Sequence, residues 1–398
     1  MTQTGLNDAQ ARQILRHYCL DLRGIWQLPR GTINSNYLVE TDAGPLFLQI
    51  CEGKSVADVE FLSSFMWHLC SHAVHTPPPW RTRTGAAYLV LPRSFFESGP
   101  RGAPACEKPV MLMSWVSGVE HTDTELGEAE ARYVGEQLAR LHLGAASFPG
   151  QRVGIYTLHH IQERIKKLGA DPRAQTELGT LPDELLAEAA HLSQARRREL
   201  PMVLGHNDLF PDNLLFPKTL PRRAFAPTAQ NGWILDLEQS AMLPYVYDLA
   251  VALLAFCAPA PKDPDAAEET KGEPKLGPLR QAQARALIEG YQALRALGEA
   301  EWQGFYEELR YAALRFTVTR LTDVHGYGAA AQKPSDKEAK SESGSESGRN
   351  SDGEGGTASR KLPRRVQTLT HSKDYRDFLW RWRSLLALQS CTLINGLR

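Results

Sequence analysis

The chain has 398 residues, and its 45 Lys and Arg against 46 Asp and Glu leave a formal net charge of -1, which gives no basis for binding nucleic acid or another polyanion. With 42% hydrophobic and 23% charged residues, its composition is that of an ordinary globular protein and excludes collagen-like, coiled-coil and wholly disordered chains. No run approaches the roughly 18 apolar residues that span a bilayer, and the N-terminus MTQTGLNDAQ is polar, so a cytoplasmic protein with neither membrane nor nucleic-acid partners is expected.

In chain order, Tyr37 to Glu40 and Leu46 to Cys51 are β-rich runs separated by Thr41-Asp42-Ala43-Gly44-Pro45, the punctuation of a hairpin. Val56 to His72 carries apolar residues at Val59, Leu62, Phe65, Met66 and Leu69, the spacing of an amphipathic helix. Strands at Tyr88 to Leu91 and Pro109 to Val116, with a first strand before Gly31, complete an expected five-strand antiparallel sheet with one helix. After Ser117-Gly118 the pattern turns helical: Glu128 to Leu143, Ile161 to Leu168, Pro182 to Leu200, Pro244 to Cys257, Leu279 to Leu297, Glu301 to Val324 and Asp374 to Leu388. The expected organisation is a small N-terminal unit, 1–117, and a mainly helical one, 118–398.

Residues 259–277 and 329–365, the second containing SESGSESGRNSDGEGG, hold too little apolar surface to offset the chain entropy lost on ordering and are expected to be disordered insertions. Passive, solvated insertion is the favoured reading, and a partner-binding acidic arm is the alternative. The cysteines at 19, 51, 70, 106, 257 and 391 form no CxxC pair, so buried reduced thiols are expected rather than a zinc site or a disulfide framework.

The strongest signal for chemistry is Leu204-Gly205-His206-Asn207-Asp208-Leu209-Phe210-Pro211-Asp212-Asn213-Leu214-Leu215, followed by Trp233-Ile234-Leu235-Asp236-Leu237-Glu238. This is HxDxxxxN and then an apolar run ending in Asp. Phosphoryl transfer from a magnesium nucleotide needs a carboxylate at the attacking hydroxyl and oxygen ligands that keep the metal on the phosphates. In that reading Asp208 orients or deprotonates the hydroxyl, Asn213 and Asp236 hold Mg2+, and His206 buttresses the loop. The bland alternative, a polar turn and an unrelated capping Asp, leaves the three flanking apolar runs unexplained.

These residues resemble the aminoglycoside phosphotransferase and choline kinase superfamily, and within it the homoserine kinases of the phosphotransferase type, whose HADLFRDNVLF is similar to His206–Phe216. Gly31-Thr32-Ile33-Asn34-Ser35-Asn36-Tyr37, LARLHL at Leu138 to Leu143, YAALRFTVTRLTDVH at Tyr311 to His325, and LTHSKDYRDFLWRWRS at Leu369 to Ser384 carry the resemblance through nearly all the chain outside the insertions. It implies a two-lobed, protein-kinase-like α+β fold. It also implies ATP and Mg2+ as cofactors, with transfer of the γ-phosphoryl to the hydroxyl of L-homoserine in threonine biosynthesis. Related folds phosphorylate choline, methylthioribose, aminoglycosides or hydroxylysine, and a catalytically inactive nucleotide-binding scaffold is the reading from another class.

Gly31, Asn34, Ser35 and Asn36 occupy the place of the phosphate-covering loop, where small residues present backbone N–H groups. The strand leading into Val116-Ser117-Gly118 resembles the hinge between lobes, which puts Met113 and Trp115 at the adenine. The lysine that many such folds carry on the third strand is missing from Leu46-Phe47-Leu48-Gln49-Ile50, where Gln49 stands at its position, as the homoserine kinases also tend to lack it. Lys54 could substitute from the following loop, but a solvated surface lysine is the favoured reading, and Asp58 and Glu60 are read as surface residues. For an amino-acid acceptor a cation must meet the carboxylate, and Arg315 and Arg320 are the candidates; five residues on an α-helix separate them by about 140°, so both need not face one pocket, and a tie between helices is an equal reading for each. His142 is read as a satisfied buried histidine. Glu238 is left between phosphate, acceptor and metal.

Overall fold

The computed structural model describes residues 4–29, 34–96, 107–121, 126–218, 220, 232–258, 277–328 and 373–398. Gly31, Cys106 and both insertions, apart from Gly277, lie outside the described residues.

Five strands form the expected antiparallel sheet: β1 (Leu22–Gln27), β2 (Ser35–Thr41), β3 (Gly44–Ile50), β4 (Leu89–Pro92) and β5 (Glu107–Ser114), in the order β1-β2-β3-β5-β4. Gly44, at φ +104°, takes the left-handed conformation that the tight β2–β3 turn needs, and the Thr41 hydroxyl donates to its carbonyl at 2.8 Å. Two helices accompany the sheet rather than one. The helix α1 (Asp8–Arg16), whose Asn7 cap forms a capping box with Gln10, escaped the apolar-spacing argument because its buried positions are only Ala11, Ile14 and Leu15. These three pack with Val39, Leu46, Leu48, Val110 and Leu112 against one face of the sheet.

Helix α2 (Val56–Ser71) begins where its sequence says it should. The Ser55 hydroxyl accepts from Asp58 N–H, and the Asp58 carboxylate accepts from Ser55 N–H, both at 3.1 Å. Asp58 is therefore a helix cap with a stated job, beyond the plain surface residue expected. The apolar side of α2 joins Met111 and Met113 on the opposite face of the sheet, in a core that runs continuously into the helical part.

That part contains α3 (Glu128–Ala145), α4 (Leu158–Gly169), α5 (Pro172–Leu178), α6 (Leu181–Ala195), α7 (Tyr245–Phe256), α8 (Gln281–Gln292), α9 (Glu299–Thr319), α10 (Tyr375–Leu386) and α11 (Ser390–Leu397). The sequence pattern missed α5 and α11, which have too few turns to show a period, and it carried the 182–200 helix five residues too far. Gly135 of α3 and Gly290 of α8 let the two helices meet backbone to backbone: a Cβ at Gly135 would lie 2.0 Å from the Leu287 carbonyl oxygen, and one at Gly290 would lie 2.1 Å from that of Arg132. Helix α9 ends in a π turn over Arg320–Val324 instead of continuing as α-helix.

Two short antiparallel pairs place the chemistry. Strand β6 (Met202–Gly205) pairs with β9 (Ala241–Pro244), and β7 (Leu214–Leu215) with β8 (Trp233–Ile234). Of the cysteines, Cys51 and Cys257 are buried as expected, but Cys19 and Cys391 are exposed, and all five described are free thiols. Among the described residues no helix is long and apolar enough to cross a membrane.

Candidate active site

The loop after β6 is held by a residue the sequence reading did not single out. Asp248, in the first turn of α7, is fully buried. Its carboxylate accepts the backbone N–H groups of His206 at 2.6 Å and Asn207 at 2.7 Å, together with a hydrogen bond from His142 Nε2 at 3.0 Å. His142 Nδ1 meets the Tyr291 hydroxyl at 2.7 Å, which fits a neutral imidazole donating from Nε2. Burial lowers the His142 pKa, and the Asp248 carboxyl, which burial alone would raise, is held below its usual range by the hydrogen bonds it accepts. The signal was present in the sequence as one acid in the otherwise apolar YVYDLAVALLAF.

This anchoring fixes an uncommon backbone. Asn207 adopts φ +68° and is gripped from the other side by Arg315, whose Nη1 donates to the Asn207 carbonyl and, at 3.0 Å, to its side-chain oxygen. The Asn207 amide donates to the Gln239 carbonyl at 3.1 Å. His206 donates from Nε2 to the Leu235 carbonyl at 2.8 Å and accepts from Asp208 N–H at 3.3 Å, so it ties the loop to the strand carrying Asp236, as expected of a buttress.

Asp208 is thereby presented half-buried at the cleft, its pKa pushed up chiefly by the protein crowded around it, with Arg315 and His206 opposing. Asn213 donates to the Asp208 carbonyl at 2.8 Å, which fixes the orientation of its amide. The β7–β8 pairing of Leu214 with Ile234, continued by Leu235 N–H to the Asn213 carbonyl at 2.9 Å, sets Asn213 beside Asp236. Asp236 takes φ +53° and is exposed. Its pKa rises to about 7 because protein surrounds it and the charges of Glu238 and Asp208 oppose its ionisation. An amide oxygen and a carboxylate on neighbouring positions of one hairpin, with the acidic Glu238 two residues on, are donor types that suit a hard divalent cation sharing its other positions with phosphate and water.

The remaining candidates divide. Asn34 is in the cleft, where its amide donates to Glu238 and its oxygen accepts from Glu52 N–H at 3.1 Å. Asn36 accepts from Gln49 Nε2 at 3.3 Å across the β2–β3 ladder. Ser35 goes elsewhere: its hydroxyl is buried with Glu52 at 2.9 Å and Thr4 N–H at 2.7 Å, so strand alternation turns it away from the cleft. Met113 is buried in the register opposite Phe47, Trp115 is half-buried, and residues 115–118 leave the ladder. Gly118 lets that crossing segment lie against β7, where a Cβ would sit 2.6 Å from that of Leu215.

Arg315 is buried among Tyr156, Phe316 and Tyr247. Arg320 donates to the Asp374 carbonyl at 2.8 Å and lies 3.5 Å from Asp377, so it ties the π turn to α10. Both arginines feel the charge of Asp208 despite the angle expected between them. Lys54 is not a solvated lysine: its ammonium lies 2.9 Å from Glu238 in the cleft.

Comparisons with known proteins bear on the fold and the family. An amicoumacin kinase in complex with AMP-PNP and Ca2+ superposes with a TM-score of 0.57 at 16% identity, covering 80% of this chain and 87% of its own. A spectinomycin phosphotransferase in complex with ADP and spectinomycin gives a TM-score of 0.53 at 13% identity, over 82% and 91%. At such identities the likeness is one of fold: two-lobed, kinase-like and α+β. The homoserine kinase of Nitrobacter winogradskyi is 32% identical over 311 residues, 78% of this chain and 82% of that protein. The homoserine kinase of Paraburkholderia phymatum is 29% identical over 326 residues, 81% and 90%. The molecule is an ATP-dependent phosphotransferase of small molecules. Residues 25–297 match the phosphotransferase enzyme family, and the chain belongs to it.

Proposed function

We propose that the protein transfers the γ-phosphoryl group of ATP to the side-chain hydroxyl of L-homoserine, with Mg2+ as the cation. The observation that carries the substrate is the 32% identity to a homoserine kinase over 78% of the chain. The charges around Asp208 support it: Arg315, Arg320 and Lys373 all act on this carboxylate, and an amino-acid acceptor brings a carboxylate of its own that needs a cation.

In this reading the nucleotide lies between the two lobes, with the boundary at residue 117, its adenine at Met113 and Trp115 and its phosphates under Gly31–Asn36. Asn213 and Asp236 hold Mg2+, which when bound draws charge from the phosphate oxygens. Asp208 accepts the hydrogen bond of the acceptor hydroxyl and aligns its oxygen with the phosphorus, taking the proton as the new bond forms. Asp248, Arg315 and His206 act through the loop by fixing where Asp208 points. The deciding experiment is ADP release by the purified protein with MgATP and a panel of L-homoserine, L-serine, choline, methylthioribose and kanamycin. Homoserine-selective turnover is expected, and selective turnover of another acceptor would overturn the substrate.

A further inference from the structure

The position where related folds place a lysine on β3 is taken by Gln49, which is tied to Asn36. A cation nevertheless reaches the cleft from the next loop. Lys54 Nζ lies 2.9 Å from Glu238 Oε2, with side chains only 20% and 12% exposed, and Asn34 donates its amide to the other oxygen of the same carboxylate. Asn34 is itself fixed by Glu52 N–H, while Arg152 holds the backbone of Glu238 and, at 2.7 Å, of Ser240. One carboxylate, two residues beyond Asp236, is thus clasped by an ammonium and an amide that both come from the sheet lobe. An ammonium and an N–H donor converging on one oxyanion form the chemistry of a phosphate seat.

We propose that Lys54 and Asn34 bind the nucleotide phosphates in place of the missing strand lysine, and that Glu238 is an internal stand-in for phosphate that the nucleotide displaces. On entry of the nucleotide, both donors pass from Glu238 to phosphate oxygens, and the freed carboxylate faces the cation side of the cleft beside Asp236. No covalent bond changes. An exposed Lys–Glu pair would contribute little either way, but this one is largely buried and shares its carboxylate with a fixed second donor. The inference rests on the phosphotransferase class and not on the acceptor.

The test is calorimetric titration of the full chain with adenosine and with ADP, in EDTA and in Mg2+. Lys54→Met should weaken Mg-ADP binding about 10- to 100-fold, the worth of one charge-assisted hydrogen bond, leave adenosine within about twofold, and be partly rescued by Lys54→Arg. Glu238→Gln should act in the opposite direction and tighten metal-free ADP several-fold, because the competing anion is gone. An unchanged ratio of ADP to adenosine affinity in Lys54→Met would overturn the phosphate role, and weakened metal-free ADP in Glu238→Gln would overturn the stand-in. These titrations contain no acceptor, so failure of the homoserine reading leaves them intact, and their failure leaves that reading intact.

Discussion

Replacing Asp248 by Asn is the sharpest perturbation of the loop that carries Asp208, because it preserves shape while removing acceptor capacity. Three donors surround the two carboxylate oxygens, at 2.6, 2.7 and 3.0 Å. Asparagine keeps one oxygen and sets an NH2 group against a donor on the other side. At least one charge-assisted hydrogen bond, about 1.5–3 kcal/mol, is lost, and a buried N–H or imidazole is left unsatisfied, so a destabilisation of about 2–5 kcal/mol is expected. The loss also frees Asn207, whose φ of +68° needs outside support, so kcat should fall even in the fraction that stays folded. Urea unfolding followed by fluorescence, with kcat measured under native conditions, reads both effects. A variant within about 0.5 kcal/mol of the parent and with unchanged kcat would refute the anchoring role.

Further outcomes follow from the same geometry. Gly205→Ala would set a methyl group 2.5 Å from the Asp248 carboxylate and 2.6 Å from Leu243, so it should cost about 1–3 kcal/mol and lower kcat without changing nucleotide affinity, as unfolding and binding titrations will show. Asp236→Asn should lower kcat by about 100-fold or more and raise the Mg2+ concentration needed for half-maximal rate, and unchanged metal dependence would remove Asp236 from the metal. Two groups should each lose stability on acidification, while Asp236, raised to about 7, gains it as the pH falls from about 7 to about 4, so each contribution is read as the difference between wild type and variant. His142 is held neutral, its folded pKa below the unfolded value, so its contribution is present above about pH 6.5 and is lost below it by up to about 1.4 kcal/mol per pH unit as the unfolded chain takes the proton. Asp248, also depressed, adds a second loss below about pH 4. His142→Gln should remove this loss, making the slope of stability against pH between about pH 6.5 and 5 less positive than in the parent, and an unaltered slope would contradict the assignment.

What could be read from the sequence was what local pattern encodes. The β2–β3 hairpin and the long helices each express a period or a punctuation within a few residues, and the His206–Asn213 loop with Asp236 keeps its spacing because one hairpin builds it. The partners were not legible. Asp248 lies 41 and 42 residues from the amides it holds, and Lys54 lies far in sequence from Glu238, so local pattern passed over the first and favoured a solvated lysine for the second. Strand alternation sends the Ser35 side chain to Glu52 while Asn34 reaches Glu238, so what Ser35 can offer a phosphate is its backbone N–H, the group the loop reading invoked. Arg315 and Arg320 were left between the acceptor and a structural tie, and the structure gives each a framework contact, one to the loop and one to α10.

The most direct measurement is homoserine-dependent ADP release by the wild-type chain and by Asp208→Asn, with circular dichroism to match their folds. The proposed mechanism predicts turnover in the wild type and a fall in kcat of about 100- to 10,000-fold in the variant, with nucleotide affinity retained. Near-normal turnover by a folded Asp208→Asn would contradict the assignment of Asp208 as the group that receives the acceptor hydroxyl.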